Sequence, residues 1–129
     1  MAKVLLLDDS AFFRKVVRGF LEEDGFEVED FVPLSALQVL ERARAFQPDL
    51  VVTDYNMPHV DGLEVLRMIR RHAASLPVVV LTASRDPLRE ARLEAHGPVQ
   101  VLHKPMKGED IVTAVKAFAA RPAPGPGPA

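Results

Sequence analysis

Apolar residues in this chain gather into five short runs, separated by longer stretches in which they recur at helical spacing. Three of the runs are unbroken: Val4 to Leu7, Leu50-Val51-Val52 leading through Thr53 to Asp54, and Val78 to Leu81 leading to Thr82. Such runs read as strands buried on both faces, the condition of a parallel sheet. The other two are interrupted. Glu27 and Glu29 alternate with Phe26 and Val28 over 26–31, and Gln100 breaks the run Val99 to His103, so both read as partly solvated strands at the edges of the sheet.

The helical stretches carry their own punctuation. Ser10 caps a first helix with Phe12, Phe13, Val16, Val17, Phe20 and Leu21 at apolar positions, and Gly25 stops it. Ser35 and Gln38 have the spacing of a capping box for a second helix through Leu37, Leu40, Ala43 and Phe46, which exits at Pro48. Asp61 and Glu64 repeat that signature before a third helix carrying Leu63, Leu66, Met68 and Ile69, with Arg67, Arg70 and Arg71 toward the negative end of its dipole. Asp86-Pro87 opens a fourth helix that is weakly apolar, offering Leu88, Ala91, Leu93 and Ala95. The fifth presents Ile111, Val112, Val115 and Phe118 on one face. From Arg121 the composition collapses to Pro, Gly and Ala, which predicts a domain over 1–120 and a disordered tail or linker stub over 121–129.

Strand and helix thus alternate five times, predicting an α/β fold with a doubly wound parallel sheet, helices on both faces and right-handed crossovers. Edges at strands two and five fit the order 2-1-3-4-5 known from flavodoxin-like folds, in which ligands bind beyond the carboxyl ends of strands one and three. A chain of 129 residues is enough for one such domain, burying roughly two-thirds of its unfolded surface.

Composition removes several functions. The absence of cysteine excludes a disulfide framework, a thiolate zinc site and a cysteine nucleophile. The apolar start breaks at Asp8-Asp9, too early for a signal peptide, and no stretch approaches the ~18 residues of a membrane span. A formal charge of −2 with mixed signs offers no footprint for direct nucleic-acid binding. A cytoplasmic location is the expectation. The histidines, His59, His72, His96 and His103, lack the spacing of metal ligands and read as surface or structural, and Arg85, Arg89 and Arg92 read as a solvated helix face.

Four strand ends carry useful chemistry: Asp8 and Asp9, Asp54, Thr82, and Lys104. On one parallel sheet they share a rim. Carboxylates that close raise each other's pKa, which a divalent cation and the Lys104 ammonium would relieve. Carboxylate, carbonyl and water oxygens suit Mg²⁺. A carboxylate nucleophile, a metal, a hydroxyl donor and a cation make the equipment for phosphoryl transfer.

Over roughly residues 3–120 the chain resembles the receiver domains of two-component response regulators and is similar in size to the stand-alone chemotaxis regulator. The resemblance rests on Asp8-Asp9, Asp54 with Met57-Pro58 and Asp61-Gly62, Thr82-Ala83, and Lys104-Pro105, in order and at the family's spacing. It implies that Asp54 accepts the phosphoryl group of a phosphohistidine on a sensor histidine kinase or phosphotransfer protein. Mg²⁺ would be held by Asp9, Asp54 and the backbone carbonyl of Asn56, with Asp8 acting through a bound water. Lys104 and Thr82 would contact the phosphoryl oxygens, the small Ala83 would leave room for them, and Asn56 and Ser84 would tune hydrolysis of the aspartyl phosphate. The family's usual aromatic residue, whose inward rotation accompanies the Thr82 movement, is replaced by Val101, so a switch without an aromatic rotamer change is expected.

The fourth helix, fifth strand and fifth helix would form the output surface. With no room in 129 residues for an output domain, an effector protein is expected to take the signal, although the Pro/Gly tail also suits a receiver excised from a longer chain. Two other classes compete with the signalling module: a phosphate-independent interaction domain, and a small Mg²⁺ phosphohydrolase with an aspartyl nucleophile, against which Asn56 stands where those enzymes commonly have a second Asp.

Overall fold

The computed structural model describes residues 2–119; the expected tail, 121–129, lies outside them. Its elements alternate throughout: β1 Lys3–Leu7, α1 Ala11–Glu23, β2 Glu27–Phe31, α2 Ala36–Phe46, β3 Leu50–Asp54, α3 Gly62–His72, β4 Val78–Thr82, α4 Pro87–Glu94, β5 Val99–His103 and α5 Gly108–Ala119. All strand pairs are parallel and the order is β2-β1-β3-β4-β5, as the edge signals predict.

The unbroken apolar runs are explained by a core on each face. Leu5, Leu7, Val51, Val78 and Val80 point to one side and pack with Val39 and Ala43 of α2 and Val65, Leu66 and Ile69 of α3. Val4, Leu6, Leu50, Val52, Val79 and Leu81 point to the other, against Val17 and Leu21 of α1 and Ile111, Val115 and Phe118 of α5. Because a strand's side chains alternate, burial on both faces favours apolar residues at successive positions, and the buried polar residues Thr53, Asp54 and Thr82 fall at the strands' carboxyl ends.

The pattern overshoots at the helix starts. Phe12 is 79% exposed, Leu37 60% and Leu88 71%. Each is the second residue of a helix that begins after the carboxyl end of a strand, at the rim of the sheet rather than over it. In α4 only Leu93 is buried, not the fuller apolar set expected. Two local details also differ. Phe26 stays outside β2 because its N–H bonds to the Leu21 carbonyl, closing the turn after α1, and the ladder begins at Glu27, whose N–H reaches Ala2. The Ser35 box is half made: its hydroxyl accepts from Gln38 N, but the Gln38 side chain reaches back to the N–H of Leu34.

At the opposite rim, Arg70 of α3 ties two loops together. Its guanidinium donates to the carbonyls of Leu76 at 2.6 Å, Pro98 at 3.2 Å and His96. Burial lowers its pKa, and it stays charged. Gly97 lies against it with φ +97, and a Cβ there would stand 2.8 Å from the Arg70 Nε, so both conformation and space favour glycine. Arg70→Met, which strands these carbonyls, should lower the unfolding free energy by about 2–3 kcal/mol; an unchanged urea midpoint would contradict the clamp.

Candidate functional site

The opposite, carboxyl rim collects the residues singled out from the sequence. Leu7 pairs with Thr53 and Asp54 with Leu81, so Asp8, Asp54 and Thr82 leave adjacent strands at neighbouring levels. Lys104 joins them because its N–H donates to the Thr82 carbonyl at 2.8 Å. The loop after Asp54 is drawn tight by the Gly62 N–H on the Tyr55 carbonyl at 2.7 Å. A Cβ on Gly62 would stand 2.9 Å from the Tyr55 Cα, which is why glycine follows Asp61. The Asp61–Glu64 capping box forms in full, with bonds of 2.8 and 3.2 Å.

One carboxylate oxygen from each of Asp8, Asp9 and Asp54 lies within 4.8 Å of the others. Asp8 and Asp54 are buried, at 2% and 3% exposure, whereas Asp9 is exposed. Lys104 Nζ donates to Asp54 Oδ1 at 2.9 Å. Asp8 Oδ1 accepts the Ser10 N–H at 2.8 Å, but its Oδ2 is buried with no partner. The Asp8 pKa is raised from 3.8 to about 6, chiefly by burial, with Asp54 and Asp9 adding to the shift and the Ser10 N–H and Lys104 opposing it. Repulsion among the acids is therefore the smaller cause. An unpartnered oxygen among clustered carboxylates and an all-oxygen donor set fit a hard divalent cation such as Mg²⁺.

The remaining predicted residues divide. Thr82 is buried and its Oγ1 accepts the Ser84 N–H at 3.0 Å. Ala83 and Asn56 are exposed on their loops and Ser84 is half-buried. Val101 is not drawn into the site: from β5 it pairs with Val80 of β4 and packs against the core on the α2 and α3 face. His103 keeps a structural role, paired with Glu90 of α4. The sequence reading missed Arg14 and Asp30, which support the Asp8 loop from behind. Their only signal was an arginine on a helix and an acid on an edge strand, both ordinary surface placements.

A family model described as the response regulator receiver domain matches residues 4–116. The chain belongs to that family. Receiver relatives include the response regulator MprA of Mycobacterium sp. (strain KMS), 36% identical over 98% of this chain and 54% of that protein. A protein-glutamate methylesterase/protein-glutamine glutaminase of Myxococcus xanthus is 37% identical over 98% of this chain and 40% of its own length. The chain thus spans about half or less of these curated relatives. Among solved structures, the Vibrio cholerae chemotaxis protein CheY4 superposes with a TM-score of 0.82 at 29% identity, covering 92% of this receiver and 98% of that chain. A two-component response regulator from Clostridium difficile shares the fold with a TM-score of 0.83 at 22% identity, covering 94% and 98%. Among the described residues of this receiver, no helix is long and apolar enough to cross a membrane.

The raised Asp8 pKa has a consequence for stability. The folded chain favours protonated Asp8, so this preference stabilises it fully below pH 3.8, and the benefit is lost as pH rises through about 6. Asp8→Asn should therefore stabilise the metal-free receiver at pH 8, by on the order of 2–3 kcal/mol, and the gain should vanish near pH 4. Urea titrations at the two pH values measure it; a destabilised variant at pH 8 would contradict the cost assigned to the buried charge.

Proposed function

We propose that this receiver accepts a phosphoryl group from phosphohistidine onto Asp54 and that the modification changes its affinity for an effector protein. The observation that carries the reading is a nearly buried carboxylate held by a lysine at 2.9 Å beside two further carboxylates. Asp8, Asp9, Asp54 and the Asn56 carbonyl would hold Mg²⁺, which when bound supplies charge neutralisation for the phosphoryl oxygens.

Lys104 engages Oδ1 of Asp54, leaving Oδ2 to attack phosphorus. The Oδ2–P bond forms as the P–N bond to the donor imidazole breaks, and the electron pair leaves with the imidazole. No base is needed, because the nucleophile is already an anion. Lys104 and the Thr82 hydroxyl then face the new phosphoryl oxygens, and the receiver supplies its own phosphotransfer and autodephosphorylation machinery. Asn56 and Ser84, on the loops at this rim, would tune hydrolysis of the aspartyl phosphate.

Conversion of that event into a signal has a route that does not need an aromatic at Val101. The Thr82 Oγ1 accepts the Ser84 N–H at 3.0 Å, the Ser84 Oγ accepts the Asp86 N–H at 3.2 Å, and the Asp86 Oδ1 accepts the Leu88 N–H at 3.0 Å. Drawing Thr82 toward a phosphoryl oxygen lengthens the first bond and loosens the cap of α4, the helix with a single buried residue.

Partner surfaces follow from exposure. Phe12, Leu34, Leu37 and Leu88 are the exposed large apolar side chains among the described residues, and all follow carboxyl ends of strands. They offer a phosphohistidine donor contact around the acidic site. Arg85 and Arg92 are exposed near and on α4, whereas Arg89 is stacked 4.4 Å from the Tyr55 ring centroid. An effector with an acidic surface fits the α4, β5 and α5 face, in the cytoplasm where a sensor kinase presents its phosphohistidine.

Incubation with acetyl phosphate should add one phosphoryl group by intact mass, dependent on Mg²⁺ and absent in Asp54→Asn. The phosphorylated receiver should also exchange the Leu88 amide faster than the unmodified one. No gain, even from a phosphohistidine donor, would overturn the reading in favour of a phosphate-independent interaction domain.

A further inference from the structure

Asp8 and Asp9 lie beyond the last ladder pair of β1, where the sheet no longer fixes the backbone. The Ser10 N–H holds the Asp8 side chain, and an arginine holds its carbonyl. The Arg14 Nη1 of α1 donates to the Asp8 carbonyl at 2.7 Å, and its Nε donates to Asp30 Oδ2 on β2 at 3.0 Å. The other oxygen of Asp30 takes Arg18 Nη1 at 2.7 Å, so one carboxylate on the edge strand engages arginines from successive turns of α1. The Arg14 side chain is only 17% exposed and the Asp30 side chain 19%, which shields this pair from solvent far more than an ordinary surface ion pair.

The geometry matters because a peptide unit is planar. A hydrogen bond that fixes the direction of the Asp8 carbonyl also fixes the plane containing the Asp9 nitrogen and Cα. Asp9 itself is exposed and is not locked by packing; the orientation of its carboxylate toward Asp8 and Asp54 depends on where that Cα is held. The charge of Arg14 is matched by Asp30, so its effect on the acids is one of placement.

We propose that Arg14, held by Asp30, is a positioning residue for the acidic pair and that cation affinity at the site depends on this support from the edge strand. The inference rests on the reading of Asp8, Asp9 and Asp54 as a Mg²⁺ site. Groups that hold metal ligands from behind typically contribute 10–100-fold to affinity, and a guanidinium can bridge a carboxylate and a carbonyl at once where a lysine serves one of them.

The test is calorimetric titration of the metal-free full chain with MgCl₂ for the wild type, Arg14→Met, Arg14→Lys, Asp30→Asn and Arg42→Met. Arg42 is the control: it too pairs with an acid of β2, Glu29 at 3.6 Å, but from α2, and it stacks on Phe31. Arg14→Met should weaken Mg²⁺ binding about tenfold or more, Asp30→Asn should weaken it less, and Arg14→Lys should recover part of the loss. Arg42→Met should bind as the wild type does. In the metal-free state, the Asp9 and Ser10 amide resonances should move in Arg14→Met and stay in place in Arg42→Met. Wild-type affinity in Arg14→Met and Asp30→Asn, or an equal loss in Arg42→Met, would overturn the proposal. A wild type that does not bind Mg²⁺ would instead overturn the site reading beneath it, and that failure is seen before any variant is compared.

Discussion

Three carboxylates held within 4.8 Å of one another, two of them buried, are the constraint on which the rest of this molecule depends. Such a cluster opposes folding, since burial alone pushes Asp8 toward protonation. The fold must supply enough apolar packing to carry that cost, and it does so with a sheet whose central strands are buried on both faces. Among the described residues, Lys104 supplies the one direct cationic contact to Asp54. The same parallel topology that gives two cores also sends every strand's carboxyl end to one rim, so stability and chemistry share an origin.

The two rims of the sheet are built differently. At the amino rim Arg70 binds the loops around Leu76, His96 and Pro98 into one clamp. At the carboxyl rim the loops are shorter in support: the β4–α4 connection is a chain of single hydrogen bonds from Thr82 to Leu88, and α4 adds Leu93, the Glu90–His103 pair and the Arg89–Tyr55 stack. An element anchored by few apolar contacts is drawn from the low-stability end of a structure. That places the helix with a single buried residue beside the Thr82 hydroxyl.

Much of this is legible in the amino-acid sequence. Unbroken Val and Leu runs encode strands buried on both faces, the polar interruptions at Glu27, Glu29 and Gln100 mark the edges, and the Asp61–Glu64 spacing locates a helix start that forms in full. The cluster of Asp8, Asp9, Asp54 and Lys104 follows from strand ends alone once the sheet is parallel. What was not legible depends on where helices sit over the sheet. Phe12, Leu37 and Leu88 obey helical periodicity yet stand beyond the strands, so their apolar character serves the rim and not the core. The Arg14–Asp30 support joins α1 to β2 across sixteen positions of sequence, and no local pattern encodes it. The larger share of burial in the Asp8 shift likewise requires knowing what surrounds the carboxyl.

The most direct measurement of the central claim is the thermal midpoint of the metal-free receiver as MgCl₂ is added, for the wild type, Asp9→Asn and Lys104→Met. If clustered carboxylates form a cation site, the wild-type midpoint rises with metal concentration according to mass action. The rise is then reduced in Asp9→Asn and retained in Lys104→Met, which removes a competing cation and no ligand. A midpoint indifferent to Mg²⁺, or one that rises equally in Asp9→Asn, would contradict the account.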